Sequence, residues 1–267
     1  MAYSTNLPKG DYTANRQLGQ AFGGAPFHSI YLSPHLDDAA LSCGGYMWTR
    51  TELGHRVLVV TVFAGAPAPG AALSPLAQAL HDRWELSSDA VTDRLEEDRA
   101  ALSLLGVEAE RWTYTDCIYR QSPAGAFLYA SEDALWEQVH PAEDALIAEL
   151  TGRFQRLPLH PGGSLHAPLA VGHHVDHQIV RRAAESTGLQ LTYYEDYPYA
   201  LNRSAVQTAL SDRRWLAQPI SLSEEALEAK VAAIACYRSQ ISSFWADEAA
   251  MSTSVRGFTE QYWIPEP

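Results

Sequence analysis

Cysteine is scarce in this chain: Cys43, Cys117 and Cys236 are three among 267 residues. An odd count without CxxC spacing argues against a disulfide framework and against a thiolate zinc cluster. Basic residues are also few, 19 Lys and Arg against 32 Asp and Glu, for a net charge of −13. Nucleic acid and anionic membranes both require clustered cations, so neither is expected as a partner. No run approaches the ~20 apolar residues of a membrane span, and residues 1–10 lack the charged start and apolar core of a secretory leader. Phosphate loops, GxGxxG elements, internal repeats and linkers are missing as well. The expectation is a cytoplasmic protein in a reducing compartment, acting on a neutral or cationic small molecule.

A 46% hydrophobic content over this length suits one large α/β domain spanning residues 1–267. Ile30, Tyr31 and Leu32 read as the end of a buried strand, and the run through Leu41, Met47 and Trp48 reads as a helix. Residues 56–63, rich in Val57, Val59, Val60 and Val62, have the composition of a parallel strand covered on both faces. Together these predict a βαβ unit. A loop follows over 64–75, then a helix over 93–105 stopped by Gly106, and a strand over 111–115 ending at Asp116. Residues 117–130 form an aromatic-bearing loop (Tyr119, Phe127, Tyr129), 132–154 a helix interrupted at Pro141, and 158–166 a loop placing His160 and His166 at the surface. A strand over 189–194 leads into the acidic, aromatic turn 195–199, and Ser221 with Glu224 forms a capping pattern for one helix over 221–241. Residues 1–26 are expected as an irregular arm. The aromatic tail 242–267, with Phe244, Trp245, Tyr262 and Trp263, is expected to cover a sheet edge or to form the contact of a homo-oligomer.

Chemistry concentrates in two places. His35-Leu36-Asp37-Asp38 sets an imidazole and two carboxylates directly after a strand and before a helix, where open α/β sheets bind ligands. One carboxylate suffices to cap the helix; two with a histidine fit a divalent metal. The second cluster, Gly172-His173-His174-Val175-Asp176-His177, repeats that architecture and holds three of the ten histidines.

Pro34-His35-Leu36-Asp37-Asp38 resembles the Pro-His-Pro-Asp-Asp signature of the PIG-L/LmbE-like zinc de-N-acetylases, and His174-Val175-Asp176-His177 resembles their His-x-Asp-His element. The resemblance runs from about residue 29 to about residue 182. Leu36, Ala39 and Gly172 depart from it, replacing a proline, a frequent glutamate and a tyrosine. It implies a Rossmann-like three-layer α/β sandwich with a mostly parallel sheet and helices on both faces. It also implies hydrolysis of an N-acetyl group on an N-acetylglucosamine-type conjugate. By match to the family's positions, His35, Asp38 and His177 are metal ligands, and Arg94 and Asp116 contact substrate. Two nitrogens and one oxygen suit zinc, and iron(II) is accommodated by the same donors.

Amide hydrolysis also needs a base, an oxyanion partner and a proton for the leaving amine. Asp37 is expected as the general base, with helix capping as its alternative role. His174 is expected at the oxyanion or the amine, and Asp176 beside that imidazole or as a cap. A two-metal phosphoesterase and a non-catalytic zinc scaffold are the competing readings. The first needs more ligands than the two clusters supply, and the second a fourth protein ligand.

Overall fold

A computed structural model describes residues 25–83 and 90–266 of the chain. The expected arm over 1–26 lies almost wholly outside the described residues. The strands are β1 (Phe27–Ser33), β2 (Val57–Thr61), β3 (Glu108–Arg111), β4 (Leu159–Pro168), β5 (Leu191–Tyr194), β6 (Trp215–Pro219) and β7 (Gln261–Pro265). The α-helices are α1 (Asp38–Glu52), α2 (Pro75–Arg83), α3 (Ala90–Leu104), α4 (Asp144–Phe154), α5 (Val175–Glu185), α6 (Arg203–Ala209), α7 (Glu224–Ile234), α8 (Arg238–Phe244) and α9 (Glu248–Arg256). Among the described residues the strands form one seven-stranded sheet in the order β3-β2-β1-β4-β5-β7-β6. The first five are parallel, and β7 runs antiparallel to both its neighbours.

Alternation along the strands sends side chains into two layers. Ile30, Leu32, Leu58 and Val60 meet Leu150 and Phe154 of α4 and Ile179, Val180 and Ala183 of α5. Tyr31, Val57 and Val59 point the other way, onto Ala40, Cys43 and Met47 of α1 and Ala101 and Leu102 of α3. Helices thus cover both faces, giving the three-layer α/β arrangement. The chain leaves β1 for β2 on one side and returns to β4 on the other. That reversal opens a crevice between the carboxyl ends of β1 and β4.

Several elements differ from the sequence expectation. Residues 159–166 are not a loop: they belong to β4, whose Pro161-Gly162-Gly163 sits at a register shift between Phe27 and Ser29 of β1. His166 is consequently buried, stacked on Tyr31 at 4.2 Å between ring centres, and burial pushes its pKa down to about 3. The third strand comes earlier than residues 111–115 and carries charge, which an edge strand tolerates. Residues 132–154 hold short 3-10 turns at Asp133–Trp136 and Pro141–Glu143 before α4. The helix expected over 221–241 is two, capped at Ser223 rather than Ser221. The break turns Tyr237 inward, where its hydroxyl lies 3.0 Å from the Leu36 carbonyl and 2.9 Å from Asp98. The end of the aromatic tail covers the edge of β5 by joining the sheet as β7, an interior strand between β5 and β6.

The carboxyl-terminal elements are tied to α1 where the helix has no side chains. A Cβ on Gly45 would stand 2.4 Å from Leu222 Cδ1, so a side chain there would force the leucine out of its contact with the helix. Glu260 accepts hydrogen bonds from the backbone N–H groups of Gly45 and Tyr46 and pairs with Lys230 at 2.8 Å, wholly buried.

Candidate active site

The loop from β1 to α1 is held from three sides. Tyr194 donates its hydroxyl to the Leu32 carbonyl, Ser33 bridges the His35 carbonyl and the Ala39 N–H, and Phe63 N–H donates to Pro34. Opposite, the loop from β4 to α5 passes through left-handed backbone at Ala170, Gly172 and His173, which delivers His174 and His177 to the crevice. The two motifs, more than a hundred residues apart in sequence, meet there.

Asp38 Oδ2 lies 3.3 Å from His35 Nδ1 and 3.4 Å from His177 Nε2. Donors about 2.0–2.1 Å from a tetrahedral zinc stand roughly 3.3–3.4 Å from one another. These two separations match two edges of such a polyhedron, while the donors of His35, His174 and His177 all lie within 4.8 Å of one another. Asp38 Oδ2 also accepts the His35 backbone N–H at 2.7 Å. Each ring is oriented by a second carboxylate on its remote nitrogen: Asp176 at 3.0 Å from His35 Nε2, and Asp196 at 2.6 Å from His177 Nδ1. Carboxylate–histidine pairs of this kind fix the tautomer and raise the basicity of metal-binding imidazoles. Burial disfavours both imidazolium forms, yet Asp176 and Asp38 hold His35 well above its ordinary pKa, and Asp38 and Asp196 carry His177 to about 10. A buried position that attracts a proton so strongly offers the same attraction to a divalent cation.

His174 also comes within 4.8 Å of His35 and His177, nitrogen to nitrogen. Its Nδ1 accepts the Asp176 N–H as the cap of α5, so Nε2 carries the ring proton. Burial, then the neighbouring His35 charge, pushes its pKa down to about 3, and the ring is a neutral donor. Two further groups of close donors, Cys117 with His174 and Asp176, and His35 with Asp116 and Asp176, are less suited to an ion. Asp176 is already committed to Arg120 at 2.5 Å, to the Cys117 N–H and to His35, and burial keeps the Cys117 thiol protonated.

The expected residues therefore converge, with one correction of partnership. The Asp176 carboxylate neither caps α5 nor bonds the His174 ring, which meets only the Asp176 backbone N–H: it orients His35. Burial works against that charge, but Arg120 and His35 hold it far below the usual carboxylate range. Asp37 occupies the cap position of α1 without a side-chain cap bond. Its carboxylate lies 3.5 Å from Arg94, and burial raises its pKa. Arg94 is thus at the site rather than solvated. Asp116 caps the short turn Cys117–Tyr119 and places its other oxygen 3.5 Å from His35. Arg94 and Asp116 line a cleft with Leu36, Phe63, Val91 and Tyr119. Its wall is fixed at Gly65, where a Cβ would lie 2.2 Å from the Thr113 carbonyl oxygen. Of the loop aromatics, Tyr129 is packed in the core and gives no binding face.

Arg120 was not identified from sequence, and Asp196 only as part of the turn 195–199, a candidate wall of the site rather than a partner of His177. Asp196 follows β5, so the rule that strand ends carry ligands was a usable signal; Arg120 sits in an irregular loop that offered none.

Imidazoles and carboxylates gathered at the switch point of an open α/β sheet define a hydrolase-type site. The chain belongs to the GlcNAc-PI de-N-acetylase (PIG-L) family, whose model matches residues 30–187, and it is an enzyme of the de-N-acetylase kind. It is similar to the 2'-N-acetylparomamine deacetylase of Niallia circulans, 27% identical over 258 residues that cover 89% of this chain and 90% of the relative. Among solved structures it resembles the zinc-inhibited form of teicoplanin deacetylase Orf2, with a TM-score of 0.76 and 29% identity over 88% of this chain and 96% of the other. A deacetylase–teicoplanin complex from teicoplanin biosynthesis matches with a TM-score of 0.74 and 29% identity, covering 90% and 99% of the two chains. A non-catalytic scaffold is set aside by this membership. Among the described residues no helix is long and apolar enough to cross a membrane.

Proposed function

We propose that this chain removes an N-acetyl or related N-acyl group from an N-acetylglucosamine-type sugar conjugate, with zinc held by His35, Asp38 and His177. The observation that carries the reading is the tetrahedral-edge spacing of Asp38 to two imidazoles, each backed by its own buried carboxylate. Iron(II) is compatible with the same donors. A bound ion of this kind lowers the pKa of water toward 7 and polarises a carbonyl.

The protein's own groups then divide the remaining work. Asp37, buried beside the ligands without a cap bond, takes the proton of the attacking water and passes it to the departing amine as the C–N bond breaks, and Arg94 offsets the desolvation of its charge. Neutral His174 presents Nε2–H to the carbonyl oxygen as negative charge develops there. Arg94 and Asp116, at the rim of the cleft, bind sugar hydroxyls. The relatives named above are a 2'-N-acetylparomamine deacetylase and a teicoplanin deacetylase, which supports removal of an N-acyl group from a conjugate. The free cysteines fit a reducing cytoplasm as the place of reaction.

The test is a substrate panel with zinc-loaded protein: N-acetylglucosamine, its β-glycosides, acyclic N-acetyl amines and a chromogenic phosphate ester. Acetate release from the glycosides is expected. Turnover of the phosphate ester alone sinks the amide-hydrolase reading, and equal rates on acyclic amines sink its sugar part.

A further inference from the structure

Trp136 is a large apolar side chain that remains 37% exposed next to the catalytic cluster. Its ring meets the edge of His174 at 5.1 Å between centres and an interplanar angle of 79°, and it meets Tyr199 at 5.5 Å. Tyr199 in turn stands 6.1 Å from His177 and 6.3 Å from Phe244 between ring centres. The tyrosine is seated on bare backbone: a Cβ on Gly172, itself at φ +85°, would lie 3.2 Å from its ring.

Trp136 is also held by the metal-binding segment. Nδ1 of His173 bonds to its carbonyl at 3.1 Å, and Gln178, buried on α5, donates from Nε2 to the next carbonyl, Glu137, at 2.7 Å and to His173 O at 2.6 Å. The helix that positions His177 therefore fixes the backbone of the tryptophan as well. Three other indoles spend their N–H on acceptors, Trp112 on Glu110, Trp215 on Asp212 and Trp263 on Glu195. Trp136 Nε1 has no such partner among the described residues. A part-exposed indole on a fixed backbone, carrying a donor that no described residue uses, matches a pyranose, which offers an apolar C–H face rimmed by hydroxyls.

We propose that Trp136 is the specificity-determining residue of the substrate site, its indole face stacking on the pyranose ring that carries the N-acyl group and its N–H donating to a ring hydroxyl. Tyr199 backs it, and His174, at its edge, faces the amide. Rigid ring-on-ring contact selects a cyclic sugar over an acyclic amine without touching the reacting bond. The inference rests on the N-acyl sugar reading above.

Kinetics of Trp136→Ala and Trp136→Phe on an N-acetylglucosaminide and on an acyclic N-acetyl amine test it, with calorimetric binding of the deacylated glucosaminide as a readout independent of turnover. Removing the stacking area should raise KM for the glycoside and weaken glucosaminide binding roughly ten- to a hundredfold, with kcat changed only a few-fold. Trp136→Phe should retain most of the affinity, and the acyclic amine, which has no ring to stack, should show at most the few-fold change seen in kcat. Unchanged glycoside KM in Trp136→Ala overturns the proposal. So does a parallel fall in kcat on both substrates, which marks Trp136 as a support for His174 alone. Wild-type protein that binds glucosaminide but hydrolyses no N-acyl compound fails the proposed function and leaves this proposal to be decided by the binding arm; no sugar binding at all overturns it.

Discussion

Two aspartates near one cluster hold opposite kinds of position. Asp37 is adjacent in sequence to a proposed ligand yet bonds to neither imidazole, whereas Asp196 comes from a distant strand end and grips His177 at 2.6 Å. Substitution by asparagine should separate them. Asp37→Asn keeps its shape and loses a proton acceptor, so it should retain metal while turnover falls about 10²- to 10⁴-fold. Asp196→Asn removes the charge that holds His177, so metal affinity should fall about 10- to 100-fold. Elemental analysis with turnover at saturating zinc checks both. Full activity of zinc-loaded Asp37→Asn reduces it to a helix-start residue, and unaltered metal affinity in Asp196→Asn removes its orienting role.

At the scale of elements, the site depends on how the end of the chain is anchored. Lys230 on α7 and Glu260 ahead of β7 are buried and paired, and Glu260 also takes two N–H groups in the middle of α1, the helix that begins with Asp38. Removing one member of such a pair leaves an uncompensated buried charge and costs about 3–5 kcal/mol. Lys230→Met should lower unfolding stability by that amount in denaturant titration, and the double variant with Glu260→Gln should regain part of it. A loss below about 1 kcal/mol for Lys230→Met shows the pair to be solvated and the anchor to lie elsewhere.

For the molecule as a whole, the proposed metal site and the core are separate. The two apolar layers continue across the sheet without the ligands, and the cluster sits at the strand ends between β1 and β4. Chelation should therefore abolish turnover while leaving the far-UV circular dichroism spectrum native. The melting point should fall only by the linkage of a lost ligand, about 3–4 kcal/mol at 100 to 1,000 times Kd. Unfolding on chelation makes the metal structural and contradicts a site built at the rim of a finished core.

The sequence by itself determined what neighbours along the chain decide. The valine run of β2, the strand-to-helix junctions carrying His35, Asp37, Asp38, His174 and His177, and the helical spacing before Gly106 are all local signals. The acidic balance and the free cysteines are compositional in the same way. Tertiary structure decided the partners. Asp176 turned from His174 to His35, because Arg120, 56 positions away, and the Cys117 N–H meet it only once β1 and β4 lie side by side. Asp196 and Trp136 joined the site through α5, and the tail became an interior strand because β5 offered an unpaired edge to Tyr262 and Trp263. Pro161-Gly162-Gly163 resembled a loop because a register shift hides strand periodicity, and His166 was buried as a consequence. Local pattern records which residues stand ready for chemistry, whereas hydrogen bonds across the sheet determine which of them meet.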